Sequence, residues 1–235
     1  MAKRSAGTGM TRAEKIWGGA LLAVYFAVLP VAADPLFDLL EKLFGTAIGG
    51  GARDAAYYCV LFGLTLAVFR GYWGRTTRAF LDHIGSVLGA VGLGLVAFYG
   101  LNELTWRVLR LIPGERVNLN DQAILARIGS APHSTILIVV FLAPVVEEAV
   151  FRGYVFGNLR EYSRWGAYLF SCVLFALVHV WRFVTGWHEL GYLLLAVQYA
   201  APGLVLAWTF ERSGSLWGSI LLHGIINGLS VWSVM

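Results

Sequence analysis

Apolar residues fall into seven long runs, about 16–33, 55–69, 84–101, 134–155, 165–181, 190–210 and 216–234, separated by shorter polar stretches. None of the runs alternates polar and apolar positions, so the pattern predicts helices and argues against a membrane barrel. Most approach the ~20 residues that cross a bilayer at 1.5 Å per residue. Backbone groups in lipid must find their partners within the segment, and a helix provides them. The second run is short and is expected to continue to Trp73, with Arg70 snorkelling to the interface. The expected fold is therefore all-α, a polytopic membrane helix bundle with about seven transmembrane helices.

Composition strengthens this reading. The chain has 235 residues, of which 58% are hydrophobic and 14% charged. A soluble domain carries roughly 25% charged residues, so most soluble enzymes and binding modules are excluded. Disorder is excluded by the same hydrophobicity. Nine Trp and 28 Gly suit interfacial anchoring and close helix packing in a membrane. The net charge of +4 comes from basic residues flanking the runs, and no nucleic-acid partner is expected.

Ten Lys and Arg lie on one side of the predicted topology and seven on the other. This places the N-terminus inside and the C-terminus outside. Lys3, Arg4, Arg12 and Lys15 followed by an apolar run and Val31-Ala32-Ala33 also resemble a signal peptide. A retained first helix is preferred, because six more runs follow. Cys59 and Cys172 both lie in apolar runs and are expected as buried small residues, without a disulfide. Residues 102–133 read as a long connecting loop. Within it, Leu101 to Leu111 has the pattern of an amphipathic interfacial helix, suited to a lid or a substrate-docking segment; a solvated connector is the alternative. His83, His133 and His188 read as ordinary loop or interface residues.

Only three of the 32 charged side chains fall inside the runs, and all three are in the fourth: Glu147, Glu148 and Arg152. Glu148 and Arg152 are four apart and share a helix face, so they can neutralise each other. Glu147 points about 100° away and has no basic partner in its own helix. A charge at mid-span costs about 2.5–3.5 kcal/mol on insertion scales, so an uncompensated acid there is a functional candidate. Pro144 removes a helix hydrogen bond just before the acids. His179 follows Phe175 by four residues in the fifth run. His223 precedes Asn227 by four in the seventh. These groups can converge on one polar pocket.

A buried Glu beside a neutral His can deprotonate a water, and a His–Asn pair can stabilise an oxyanion. Glu and two His also match a catalytic zinc set. A polar network that only holds the bundle together, or a proton relay in a proton-coupled transporter, would use similar residues.

The three motifs Glu147-Glu148-x-x-x-Arg152, Phe175-x-x-x-His179 and His223-x-x-x-Asn227, in this order, resemble the membrane-embedded CAAX protease and bacteriocin-processing (ABI) family. Type II CAAX prenyl endopeptidases belong to it. The resemblance covers about residues 134–234. It divides the chain into N-terminal helices with their long loop (1–133) and a four-helix catalytic core (134–235). It implies an intramembrane endopeptidase acting on a membrane-embedded or membrane-anchored peptide in the lipid bilayer. Glu147 would be the general base, working with His179 on a water. His223 and Asn227 would stabilise the oxyanion, with Glu148 and Arg152 supporting. The resemblance favours glutamate-dependent chemistry without a cofactor. Zinc held by Glu147, His179 and His223 stays the alternative, as does a non-enzymatic immunity or sorting role. The expected location is a prokaryotic plasma membrane, with a cytoplasmic N-terminus. Glu147 and His179 reach the same depth if the fourth helix extends towards Arg160 or the fifth begins later than Trp165, and the mostly apolar stretch 153–159 makes the extension plausible.

Overall fold

The computed structural model describes residues 9–111, 118–181, 195–233 and 235. Among these residues there are nine helices and no strand. They are α1 Arg12–Phe44, α2 Gly50–Val68, α3 Arg70–Asp82, α4 Ile84–Arg110 and α5 Leu119–Ser130. Then come α6 Pro132–Arg160, α7 Arg164–Val180, α8 Ala200–Ser213 and α9 Leu216–Trp232. Helices α1, α4 and α6 are long and apolar enough to cross a membrane, and the bent pair α2–α3 counts as a fourth only if its two helices are taken as one span. Helices α7 and α9 are apolar but shorter. Lys3, Arg4, Arg116, Arg182, His188 and the first part of the sixth run lie outside the described residues.

Local chemistry explains the ends. Thr11 and Glu14 form a capping box at the start of α1, satisfying donors that a helix N-terminus leaves unpaired. Ser163 caps α7 and Ser215 caps α9. Gly214, at φ 69°, makes the left-handed turn between α8 and α9, a conformation that costs other residues a Cβ clash. Helix α3 braces this turn: the Leu216 N–H donates to Thr76 Oγ1 at 2.6 Å and Ser215 Oγ donates to the Thr76 carbonyl at 2.9 Å.

Three expectations are corrected. The second run does not continue straight to Trp73, because the chain bends by 83° between α2 and α3. Glu14 of α1 holds the new helix start. Its carboxylate accepts the Tyr72 N–H at 2.7 Å and pairs with Arg75 at 2.7 Å. A carboxylate at a helix N-terminus is stabilised by unpaired N–H groups and the helix dipole, and α3 starts afresh across the end of the bundle. The second correction concerns residues 102–133, which are mostly helix. Helix α4 runs on to Arg110, with Glu103 and Arg107 paired at 2.8 Å one turn apart, and nothing in 102–110 breaks the helix. Asn118 then caps α5 through the N–H groups of Asn120 and Asp121. The amphipathic stretch is therefore the end of a long helix and not a separate interfacial one. Cys59 is also exposed on the outside of the bundle and not buried, while both cysteines are free.

Helix α4 packs on α8 and α9, α7 packs on α6 and α8, and α1 and α2 pack on α6. The main hydrophobic core draws Leu21, Tyr25, Leu61 and Phe69 together with Val146, Phe151, Phe175 and Leu222. Small residues permit the close approaches. A Cβ on Gly94 would lie 2.5 Å from Thr209 Oγ1 and 2.7 Å from a Leu222 methyl. Gly94→Val is therefore expected to destabilise the bundle by about 1–3 kcal/mol, the usual cost of overpacking. A lowered thermal midpoint in detergent, followed by tryptophan fluorescence, would check it.

Helices α1 and α6 each contain a π turn just before a proline. The turns are Val24–Val28 before Pro30 and Ile138–Leu142 before Pro144. In α6 the Ala143 N–H reaches back five residues to the Ile138 carbonyl. The next donor in that register would be Pro144, which has no N–H. The Val139 carbonyl is thus left for another donor. The expected disturbance at Pro144 is a π turn, a feature frequent at functional sites.

Candidate active site

Helix α6 extends to Arg160, and this brings Glu147 level with His179. Glu147, Glu148, Arg152 and His223 are all buried, at 5%, 0%, 0% and 5% exposure, so their mutual pairing decides whether they can be there at all. Arg152 Nη1 donates to Glu148 Oε1 at 2.8 Å, as the four-residue spacing requires. Its Nη2 donates to the Gly203 carbonyl of α8 at 3.2 Å. The guanidinium also stacks over the Phe175 ring, 4.3 Å from its centre, a favourable cation–π contact.

Glu148 has a second partner. His223 Nδ1 lies 2.8 Å from the same Oε1. A carboxylate oxygen only accepts, so Nδ1 carries the hydrogen and Nε2 is the ring atom left to face the cavity. His179 is held the same way: its Nδ1 donates to the Phe175 carbonyl at 2.7 Å. The ring is stacked on Tyr199, with centroids 4.4 Å apart and planes at 25°. Both imidazoles thus present Nε2 to Glu147 Oε2, at 3.7 Å for His179 and 4.0 Å for His223. That Oε2 is buried and has no hydrogen-bond partner.

Asn227 lines the same cavity. Its Nδ2 donates to the Val139 carbonyl at 2.8 Å, the acceptor left over by the π turn and Pro144. The four polar positions in α6, α7 and α9 therefore share one cavity of about 620 Å³. From Glu147 the cavity runs past Tyr57 and Asn102 to Asp34, Asp54 and Asp121. These last residues belong to the late part of α1, the start of α2 and α5. The mouth thus lies at the end of the bundle opposite α3 and the α8–α9 turn.

Two contributors were not anticipated from sequence. Tyr25 Oη donates to Glu147 Oε1 at 3.4 Å, and Tyr199 backs His179. A phenol alone in the first apolar run was the available signal for Tyr25. Nothing local marked Tyr199. Helix α5 closes one side of the mouth. Asn118 Nδ2 donates to Gln198 Oε1 at 2.7 Å and to Tyr199 Oη at 3.0 Å.

Glu147, His179 and His223 have the chemistry of zinc ligands, and both rings are anchored through Nδ1 as ligating histidines are. Yet among the described residues no three His, Cys, Asp or Glu side chains are arranged to hold a metal ion.

Among the described residues the helix bundle has three helices long and apolar enough to cross a membrane, and it encloses a buried cavity lined by Glu147, His179 and His223. Residues 129–229 match the family model described as Type II CAAX prenyl endopeptidase Rce1-like. The matched stretch contains Glu147, Glu148, Arg152, His179, His223 and Asn227. Over 113 residues it is 34% identical to YdiL of Bacillus subtilis (strain 168), which carries the name of a membrane peptidase; the match covers 48% of this chain and 41% of YdiL. It is 33% identical over 92 residues to UPF0177 protein YxdF of Lactococcus lactis subsp. lactis (strain IL1403), covering 38% and 44%. UPF0177 protein YbdI of the same organism is 25% identical over 170 residues, covering 70% and 84%. The chain thus spans less than half the length of the first two of these relatives. No solved structure matches.

Proposed function

We propose that this protein is an intramembrane endopeptidase that hydrolyses a peptide bond in a membrane-associated peptide or protein. The observation that carries the reading is Glu147 Oε2, buried and unpartnered between two imidazole Nε2 atoms. The nucleophile in this reading is a water activated by Glu147 with His179. Glu147 takes its proton as the oxygen attacks the carbonyl carbon. The C–N bond then breaks, and the leaving nitrogen receives that proton, with His179 beside the path. Stabilisation of the developing oxyanion is assigned to His223 together with Asn227, whose second N–H is not used by the Val139 carbonyl. Glu148 orients His223 through the 2.8 Å bond, the role a carboxylate plays beside a catalytic imidazole.

We place the protein in a prokaryotic plasma membrane with its N-terminus in the cytoplasm, in line with the basic bias and the bacterial relatives. The cavity mouth then faces away from the cytoplasm. The reaction is read as metal-free. Purified protein in liposomes, given membrane-anchored peptides and assayed by mass spectrometry, is expected to produce new peptide termini. Absence of cleavage in every such peptide would sink the reading. Activity is expected to survive exhaustive chelation. Loss on chelation with recovery on added zinc would instead assign Glu147, His179 and His223 as ligands.

A further inference from the structure

We propose that Tyr25 is a positioning residue for Glu147, supplied to the site from outside the family-matched domain. The inference rests on the protease reading and deepens it. The matched region is 129–229, yet one contact to the proposed base comes from α1.

The carboxylate of Glu147 is divided between two surroundings. Oε1 receives the Tyr25 hydroxyl at 3.4 Å. Oε2 has no partner and faces the two histidines. A carboxyl group on a free χ3 torsion turns readily, and a donor on one oxygen stops that rotation. The phenol thereby dedicates Oε2 to the water. At 3.4 Å the bond is long, as catalytic contacts often are before substrate tightens them.

The placement of Tyr25 is well supported. The residue is 5% exposed, so its hydroxyl needs a partner there. Its ring packs at a tilt on Phe151, with centroids 6.1 Å apart. Phe151 meets Phe175 edge to face at 5.6 Å, and the Phe175 carbonyl holds His179. One aromatic chain therefore sets the heights of Tyr25, Glu147 and His179 together. Tyr25 also sits inside the π turn Val24–Val28. The wider turn rotates the following residues relative to an α-helix, and such turns recur where a side chain must be re-aimed.

Tyr25→Phe keeps the ring and removes only the hydroxyl. With the peptide cleaved by the wild type, kcat is expected to fall about tenfold, equivalent to about 1.4 kcal/mol in the barrier. KM and the thermal midpoint should stay within error of wild type, which a packing role would not produce. An infrared measurement decides the contact without activity. Subtracting Glu147→Gln from wild type isolates the Glu147 carboxyl bands. The same subtraction on the Tyr25→Phe background is expected to show those bands displaced. Unmoved bands would overturn the proposal, as would wild-type kcat in Tyr25→Phe alongside an inactive Glu147→Gln. If the wild type cleaves nothing, the protease reading fails, and the bands still decide whether Tyr25 holds Glu147.

Discussion

Glu147→Gln is expected to lower kcat by at least about 10³-fold, within the range that a positioned general base contributes. Gln is nearly isosteric and can still accept the Tyr25 hydroxyl. It cannot take a proton from water. The fold should survive, because Glu147 makes no ion pair with Lys or Arg in the described structure; its nearest basic atoms are the two imidazoles at 3.7 and 4.0 Å. Removing a buried carboxylate even relieves a desolvation cost. The decisive measurement is single-turnover cleavage in liposomes, with the unfolding midpoint recorded for the same sample. A folded Glu147→Gln protein that cleaves at the wild-type rate would remove Glu147 from the mechanism.

The second large effect is on stability. Arg152→Met is expected to cost about 3–5 kcal/mol, the usual result of breaking a fully buried ion pair from one side. Both side chains of the pair are at 0% exposure, so Glu148 would be left with a charge that water cannot reach. The loss includes the bond to the Gly203 carbonyl and the stacking on Phe175. Arg152→Lys should recover little of this, since an ammonium has neither the planar fork nor the flat face. Changing both partners, Glu148→Gln with Arg152→Met, should recover much of the stability, because no charge is then stranded. Folded yield by size exclusion and the thermal midpoint of all four proteins would test this. Because His223 hangs on the same Glu148 oxygen, the double variant should fold yet remain impaired in kcat. Wild-type turnover in it would show that Glu148 does not serve catalysis through His223.

The two predictions differ in how far sequence could lead to them. The Glu148–Arg152 pair is a local matter. A spacing of four on one helix puts the groups together whatever the rest of the chain does, and the pair formed. The helical class was equally legible, because lipid allows few other ways to satisfy a backbone in runs this apolar. Residues 102–133 misled because their mixed polarity resembles a loop. In fact a long helix there projects past the apolar run, held by its own i,i+4 pair, and a capped helix follows. The bend at Arg70 was hidden for another reason: the helix that starts there is held by Glu14, 56 positions earlier in the chain.

Local order in the chain thus specified the helices, the lone charged cluster and the helix faces on which Glu148, Arg152, His223 and Asn227 lie. Those features depend on neighbours a few residues away, which sequence spacing reports directly. Packing settled the rest. Whether Glu147 and His179 meet depends on the length of α6 beyond the apolar run. The partner of Asn227 depends on a π turn and the missing N–H of Pro144, which together strand the Val139 carbonyl. That Tyr25 touches Glu147 depends on two helices more than a hundred residues apart coming into register. Such contacts arise from the volumes and angles of whole helices pressed together, and no short-range pattern along the chain encodes them.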